Sequence, residues 1–161
     1  MQNLKELLKR LLESNIDFVL VGGFASVVHG STSVTQDLDI CMALTELEIS
    51  QLRKSLRDLH PVHRMNPNFQ PSFIEEPKDL KGVKNIYLKT DLGALDIMSE
   101  APPVGDFDTI KKHSLKVGLY GHTCKVISLD DLIKIKSAMS RPKDQETLRQ
   151  LLKLKKSQTP D

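Results

Sequence analysis

Apolar positions along the chain follow two different periods, and each period predicts a different kind of element. Leucines between residues 4 and 12 recur at the spacing of one helix face, whereas the short apolar run of residues 18–21 is typical of a buried strand. Gly22 and Gly23 follow that strand and open a second short helix, which ends near Gly30. The beginning of the chain therefore predicts a helix, a strand, a glycine turn and a second helix.

Further strands are predicted by five apolar stretches. Residues 38–42 combine a carboxylate with bulky apolar side chains, as expected of a central strand beside a polar site. Residues 85–89 and 93–98 predict a hairpin across a tight turn, and residues 115–119 and 123–127 predict a second hairpin. Together with the first strand, these stretches predict a mixed sheet.

Helix-start signals and proline positions complete the predicted architecture. Thr45 followed by Glu48 is a capping box that begins a helix, Ser128 begins another that runs to about residue 140, and Pro142 begins the last. Residues 60–81 contain four prolines and predict a long loop with at most one short strand. We therefore expect an α/β (α+β) fold in which helices flank a mixed β-sheet.

The length and charge of the chain limit its organisation and its partners. A chain of 161 residues fits one domain, which we expect over residues 1–161, with a core at about 15–127 and a C-terminal helical part at about 128–156. The 23 Lys and Arg residues against 21 Asp and Glu residues give a net charge of +2, too small to predict nucleic acid as an obligatory partner. An anionic ligand must therefore be held by local groups.

Cysteine usage and hydropathy bear on the cellular compartment. Cys41 and Cys124 have neither the spacing of a zinc site nor that of a disulfide scaffold. No apolar stretch approaches the length of about 20 residues that spans a bilayer, and the amphipathic start of the chain does not have the pattern of a signal peptide. We therefore expect a cytoplasmic protein without a membrane partner.

Three aspartates on predicted strands are the main candidates for chemistry. Asp37 and Asp39 are separated by one residue, so their side chains point to the same face of a strand. Asp96 lies within another apolar strand, where an unpaired carboxylate is costly, and it can join the pair if the two strands are neighbours. Clustered carboxylates of this kind bind Mg²⁺ or Mn²⁺ ions, which activate an attacking hydroxyl and hold a triphosphate.

Each of these features also has an ordinary structural explanation. An Asp-x-Asp pair alone usually marks the end of a strand or a turn, and glycines commonly join a strand to a helix. A helix that starts at Gly22 and Gly23 nevertheless presents backbone N–H groups of the kind that bind phosphate oxygens. The sequence is neither a P-loop nor a dinucleotide-binding fingerprint, so the glycines carry weight only together with the carboxylates.

Four segments occur in an order and a spacing that are characteristic of one superfamily. They are Val21-Gly22-Gly23-Phe24-Ala25, His29-Gly30, Thr35 and Asp37-Leu38-Asp39-Ile40. This combination resembles the DNA polymerase β-type nucleotidyltransferases, whose signature is a Gly-Gly or Gly-Ser turn, a short helix and an Asp-x-Asp or Asp-x-Glu strand. The resemblance is closest to small stand-alone members, which include minimal nucleotidyltransferases and the transferase-type toxins of toxin–antitoxin and abortive-infection pairs.

The resemblance implies a role for each of the candidate residues. Asp37, Asp39 and Asp96 would be the catalytic residues and the metal ligands. Gly22 and Gly23 would form the turn that holds the nucleoside triphosphate.

Further nucleotide contacts are implied by the same resemblance. Lys136 and the run 141–144, which contains Lys143, are similar to a Lys, Arg-x-Lys-Asp element of many small members, and both lysines would contact the nucleotide. Two departures weaken the expected binding of the triphosphate. Small relatives often carry arginine where this chain has Ser33, and many carry serine at the second glycine of the turn, for which Ser26 would substitute only in part.

The predicted function is metal-dependent nucleotidyl transfer. A nucleoside monophosphate would move from a nucleoside triphosphate (NTP) to an acceptor hydroxyl or other nucleophile, with release of pyrophosphate and with Mg²⁺ or Mn²⁺ as cofactor. A tRNA, a protein and a small molecule are all open as acceptors. One alternative is a catalytically weak or inactive module that binds a nucleotide or a partner, within a toxin–antitoxin pair. Another is an antitoxin-like subunit whose first helix pairs with a partner or with a second copy of the chain.

Overall fold

The computed structural model describes residues 3–158, which form a mixed β-sheet flanked by helices. The helices are α1 (Leu4–Glu13), α2 (Gly22–His29), α3 (Glu46–Leu56), α4 (Phe107–His113), α5 (Leu129–Ser137) and α6 (Pro142–Gln158). The strands are β1 (Phe18–Val21), β2 (Asp37–Met42), β3 (Val62–His63), β4 (Asn85–Thr90), β5 (Gly93–Met98), β6 (Glu100–Ala101), β7 (Gly105–Asp106), β8 (Leu115–Leu119) and β9 (His122–Val126). The predicted α/β fold class is confirmed.

Seven of the described strands form one sheet in the order β3-β4-β5-β2-β1-β9-β8, and β6 pairs with β7 separately. β2 is parallel to β5 and β1 is parallel to β9, whereas the other neighbours in the sheet are antiparallel. Both predicted hairpins are present, as β4–β5 and β8–β9. The parallel pairing of β2 with β5 is the step that determines where the candidate chemistry lies.

The hydrophobic core is built from the apolar periods that the sequence shows. On α1, Leu7, Leu8 and Leu11 are fully buried. All four residues of β1 are buried, as expected of a central strand, and alternate residues of β4 are buried, as expected of a strand with one open face. α1 packs against α3, while α2, α5 and α6 contact one another. These contacts place the C-terminal helices beside the glycine turn at the start of α2.

The predicted helix starts are present, but one helix ends earlier than predicted and one helix was not predicted. Thr45 Oγ1 accepts a hydrogen bond from the Glu48 N–H at 3.3 Å, so the cap of α3 is formed as predicted. α5 ends at Ser137, three residues before the predicted end, where the Ala138 N–H caps the helix by donating to the Ile135 and Lys136 carbonyls. The sequence analysis missed α4, although Asp106 caps it by accepting a hydrogen bond from the Thr109 N–H.

The long proline-containing segment between α3 and β4 is mostly irregular, as predicted. Its one short strand, β3, pairs with β4, and Val62 also forms an isolated bridge with Ser72. Cys41 and Cys124 are buried free thiols. Between residues 3 and 158, no helix is both long enough and apolar enough to cross a membrane.

Candidate active site

The three candidate carboxylates lie together on adjacent strands. Because β2 and β5 are parallel and in register, Asp39 stands directly opposite Asp96 and Asp37 stands opposite Ala94. Side chains alternate along a strand, so Asp37, Asp39 and Asp96 all point to one face of the sheet. We call these three residues the carboxylate cluster. The structure therefore makes Asp96 a neighbour of the Asp-x-Asp pair, as its predicted role requires.

Burial and mutual repulsion shift the protonation of the cluster. Burial, followed by the charges of Asp96 and Asp37, raises the pKa of Asp39 to about 7, although a hydrogen bond from the Gly23 N–H opposes this rise. Burial also raises the pKa of Asp96, an effect that the Arg64 guanidinium opposes. Without a bound cation, the cluster therefore keeps a proton at a pH where exposed aspartates have lost theirs.

Arg64 is a member of this site that the sequence analysis did not identify. Its Nη2 atom donates a hydrogen bond of 2.6 Å to Asp96 Oδ1 and lies 3.7 Å from Asp37 Oδ2. Arg64 follows β3 in the segment that was predicted as a loop, and its N–H donates to the Tyr87 carbonyl at 3.1 Å. No spacing or motif in the sequence signals this contact, because it depends on the pairing of a two-residue strand.

The two glycines are required by close packing within the site. Gly22 has a φ angle of +69°, and a Cβ atom at this position would lie 2.0 Å from Asp39 Oδ2. A Cβ atom on Gly23 would lie 2.7 Å from Thr35 Oγ1, so a serine at this position would require Thr35 to shift. Both glycines border the same cavity as the carboxylate cluster.

Ser26 does not reach this cavity. Its side chain is fully buried, and its Oγ atom donates a hydrogen bond of 3.2 Å to the Gly22 carbonyl. The arrangement makes Ser26 an internal support of the glycine turn. A nucleotide contact from Ser26 stays a prediction that this geometry does not favour.

A cavity of about 340 Å³ joins the glycine turn, the carboxylate cluster and the C-terminal helices. Its volume is in the range of small-molecule sites. Lys136, Arg141 and Lys143 contribute to its wall, as does Ser33 from the segment before β2. Ser33 Oγ lies 3.1 Å from Thr147 Oγ1 on α6, so the serine that replaces the expected arginine ties this segment to the helix.

Lys136 and Arg141 share one buried carboxylate. Asp144 has no exposed side-chain surface; its Oδ1 accepts from Lys136 Nζ at 3.0 Å and its Oδ2 from Arg141 Nε at 2.7 Å. The hydrogen bonds from Arg141 and Lys136 hold the pKa of Asp144 below its usual range. Lys136 is therefore held by Asp144, whereas Lys143 forms no side-chain ion pair among residues 3–158. Lys143 is the cavity lysine that is free to bind an anion.

The predicted metal site must be compared with this geometry. In the described part of the chain, no group of three or more His, Cys, Asp or Glu side chains is arranged so that it could hold a metal ion. The Arg64 guanidinium lies beside two members of the cluster, with its Nη2 atom 2.6 Å from Asp96 Oδ1 and 3.7 Å from Asp37 Oδ2. The donor chemistry still fits Mg²⁺ or Mn²⁺, since three crowded carboxylates offer hard oxygen ligands and repel one another without a cation. Metal binding by the cluster stays a prediction.

The raised pKa of Asp39 predicts a pH-dependent cost in stability. Between about pH 4 and pH 7 the folded protein holds a proton on Asp39 that the unfolded chain has already lost, so the free energy of unfolding falls as the pH rises through this range and levels off above it. Asp39→Asn removes this cost. In urea denaturation with a chelator present, we expect its stability advantage over the unsubstituted protein to grow by about 2 kcal/mol between pH 5 and pH 8.

The control for this measurement is Asp108→Asn, which removes an exposed carboxylate from the first turn of α4. We expect its effect on the free energy of unfolding to be small and nearly the same at both pH values, because this group is solvated. A stability difference for Asp39→Asn that does not change with pH would show that Asp39 titrates normally.

The sequence matches no protein-family model and no curated protein sequence. Solved structures do match the fold of the chain over nearly its whole length. At sequence identities below 20%, such a likeness shows the fold and not the activity.

Three of the similar structures illustrate the match. The lincosamide antibiotic adenylyltransferase LnuA, bound to lincomycin, has a TM-score of 0.64 and 16% identity over 94% of this chain and 95% of its own. A nucleotidyltransferase of Thermotoga maritima has a TM-score of 0.57 and 17% identity over 95% and 96% of the two chains. ANT(2")-Ia in complex with adenylyl-2"-tobramycin has a TM-score of 0.57 and 13% identity over 96% and 95%. The chain thus has the fold of these nucleotidyltransferases.

Proposed function

We propose that the chain is a nucleotidyltransferase that depends on a divalent metal ion and moves a nucleoside monophosphate from an NTP to an acceptor. The observation that carries the proposal is the register of β2 with β5, which sets Asp39 opposite Asp96 beside the glycine turn. Asp37 completes the cluster on the same face. Three carboxylates held together on neighbouring strands beside this cavity repel one another. Divalent metal ions that bind together with the triphosphate would offset this repulsion.

The reaction exchanges one phosphorus–oxygen bond for another. The acceptor oxygen bonds to the α-phosphorus, the bond from the α-phosphorus to the oxygen that bridges it to the β-phosphorus breaks, and pyrophosphate leaves. Asp37, Asp39 and Asp96 would hold the divalent ions, which neutralise the triphosphate and lower the pKa of the acceptor hydroxyl. Asp96 would also help to remove the proton that the acceptor hydroxyl loses.

The remaining cavity residues are assigned to the nucleotide. Lys143 would pair with the phosphates, because its ammonium group lines the cavity without a carboxylate partner among the described residues. Lys136 and Arg141 are neutralised in part by Asp144, so their role is to shape and orient the wall beside the triphosphate. The N-terminus of α2 adds the positive end of a helix dipole on the opposite wall.

The acceptor is the least constrained part of the proposal. LnuA is described with lincomycin and ANT(2")-Ia with adenylylated tobramycin, so chains of this fold can serve small-molecule acceptors. We propose a hydroxyl acceptor on this ground, with a tRNA, a protein or a small molecule as the candidate carriers.

The test is transfer of label from each α-labelled NTP into the RNA, protein and small-molecule fractions of a cell extract. With Mg²⁺ or Mn²⁺ present, we expect label in one fraction, and we expect none above background for Asp37→Asn/Asp39→Asn or with a chelator. The labelled fraction would identify the acceptor class. Absence of label from every fraction, with all four NTPs and both ions, would contradict the proposal and favour a module that only binds a nucleotide or a partner.

A further inference from the structure

The guanidinium of Arg64 lies inside the carboxylate cluster. Its Nη2 atom is 2.6 Å from Asp96 Oδ1 and 3.7 Å from Asp37 Oδ2, so one terminal nitrogen faces two of the three carboxylates. The Arg64 side chain is 21% exposed and the Asp96 side chain is 14% exposed. A hydrogen bond between charged groups at this depth is stronger than an ion pair at the surface.

The sheet places Arg64 at this point. β3 pairs with β4 so that the Arg64 N–H donates to the Tyr87 carbonyl, and Tyr87 stands opposite Asp96 on β5. The guanidinium carbon also lies 5.7 Å from the centre of the Tyr87 ring, on the same open face. Backbone pairing therefore fixes the base of the side chain, while its long stem leaves the charged end free to move.

The other positively charged side chains near the cluster form their ion pairs with a different residue. Lys136 and Arg141 bond to Asp144, and Asp39 bonds to the Gly23 N–H on the side of the cluster towards α2. Among the described residues, Arg64 is therefore the cation that forms ion pairs with Asp37 and Asp96, whereas Arg141 interacts with Asp37 and Asp39 only at longer range. A divalent ion bound between these two carboxylates would need the same oxygens and the same space.

We infer that Arg64 is a built-in competitor for the divalent ion at Asp37 and Asp96. This inference rests on the proposed function, since it describes how the same site is loaded. The guanidinium holds the two carboxylates together before an ion arrives and must leave their oxygens when the ion binds. The fraction of molecules in which Arg64 has moved away then sets the apparent affinity for the ion. Ion loading is thereby regulated by a side chain of the protein itself.

If Arg64 supported ion binding instead of competing with the ion, its removal would be expected to lower the affinity for the ion. A carboxylate has two oxygens, so Arg64 could instead orient Asp96 while the ion binds the second oxygen. In that case removal of the guanidinium would weaken ion binding, as loss of a supporting contact does. Weaker ion binding without the guanidinium would therefore identify a positioning residue, whereas a competitor must also be seen to leave the carboxylates when the ion binds.

The test measures Mn²⁺ binding to the full chain without nucleotide, by the electron paramagnetic resonance signal of free Mn²⁺. We expect Arg64→Gln to bind the ion at least about tenfold more tightly than the unsubstituted protein. Arg64→Lys retains a charge but not the planar fork, so we expect an intermediate affinity. The matched control is Lys89→Gln, which removes a positive charge from the same face of β4, opposite Ala94, and should change the affinity less than about threefold.

A second measurement uses the unsubstituted protein and does not depend on the folding of any variant. The Nε–Hε signal of Arg64, assigned by its absence from Arg64→Lys, should shift towards that of a free arginine as Mg²⁺ is added. A signal that stays in place at saturating Mg²⁺ would overturn the inference. So would equal or weaker Mn²⁺ binding by Arg64→Gln, and in both cases the proposed function would stand. Absence of Mn²⁺ binding in every variant would overturn the inference together with the metal dependence of the proposed reaction.

Discussion

Asp96→Asn is expected to lower nucleotidyl transfer at least about thousandfold while NTP binding changes less than about threefold. The asparagine keeps the size of the side chain and can still bond to Arg64, so the strand pairing of β5 should survive. What is lost is a negative charge and a proton acceptor at the point where the acceptor hydroxyl would react. The glycine turn and Lys143, which are assigned to the triphosphate, are unchanged.

Transfer is measured in a single turnover with the α-labelled NTP, and NTP binding by equilibrium dialysis at the same ion concentration. Asp108→Asn is the control, because it removes an exposed carboxylate from α4, away from the carboxylate cluster. Its transfer rate should equal that of the unsubstituted protein. If Asp96→Asn retained more than about a tenth of the rate, Asp96 would not be a catalytic residue, since loss of a group that acts in the transition state costs more.

The sequence was sufficient to predict the fold because its local patterns agree with one another. The leucine period of α1, the apolar run of β1 and the cap at Thr45 each match the element that forms. Each of these signals depends only on residues a few positions apart, so the local sequence is enough to predict the element. α4 was missed because it is only one to two turns long and has no long apolar stripe.

The sequence suggested Asp37, Asp39 and Asp96 as site residues, but pairing between distant strands determines whether all three lie together. Asp37 and Asp39 share a face for any strand with a period of two. The position of Asp96 required β2 and β5 to be neighbours in register, a condition that the sequence allowed but did not state. Arg64 required in addition that a two-residue strand pair with β4, and no local pattern encodes such a contact.

The C-terminal helices also contain a contact that the sequence alone does not show. Lys136 was expected to contact the nucleotide, and the structure adds that its ammonium group bonds to the buried Asp144. Burial makes that ion pair costly to break, since either partner alone would be left uncompensated. Lys143, one residue before Asp144, adds to the cavity a positive charge that has no ion-pair partner among the described residues.

Gly22→Ala is expected to lower the free energy of unfolding by about 3 kcal/mol and to abolish transfer. Alanine in the left-handed region at a φ of +69° costs about 1 kcal/mol by itself. The new Cβ atom would in addition lie 2.0 Å from Asp39 Oδ2 and 2.7 Å from Asp39 Cβ, so the strand cannot relieve the clash by a side-chain rotation alone. Asp39 would have to leave its position opposite Asp96.

Gly82→Ala separates the backbone strain of Gly22→Ala from the clash with Asp39, the two contributions to its lower free energy of unfolding. Gly82 has a φ of +77°, close to that of Gly22, and a Cβ atom there would have no other atom within 4 Å. Its substitution should therefore cost only the backbone strain, about 1 kcal/mol, and should leave transfer intact. Urea denaturation of both variants gives the difference. Equal losses would mean that the close approach of Gly22 to Asp39 has no energetic consequence, whereas a larger loss for Gly22→Ala together with lost transfer would tie the glycine turn to the geometry of the carboxylate cluster.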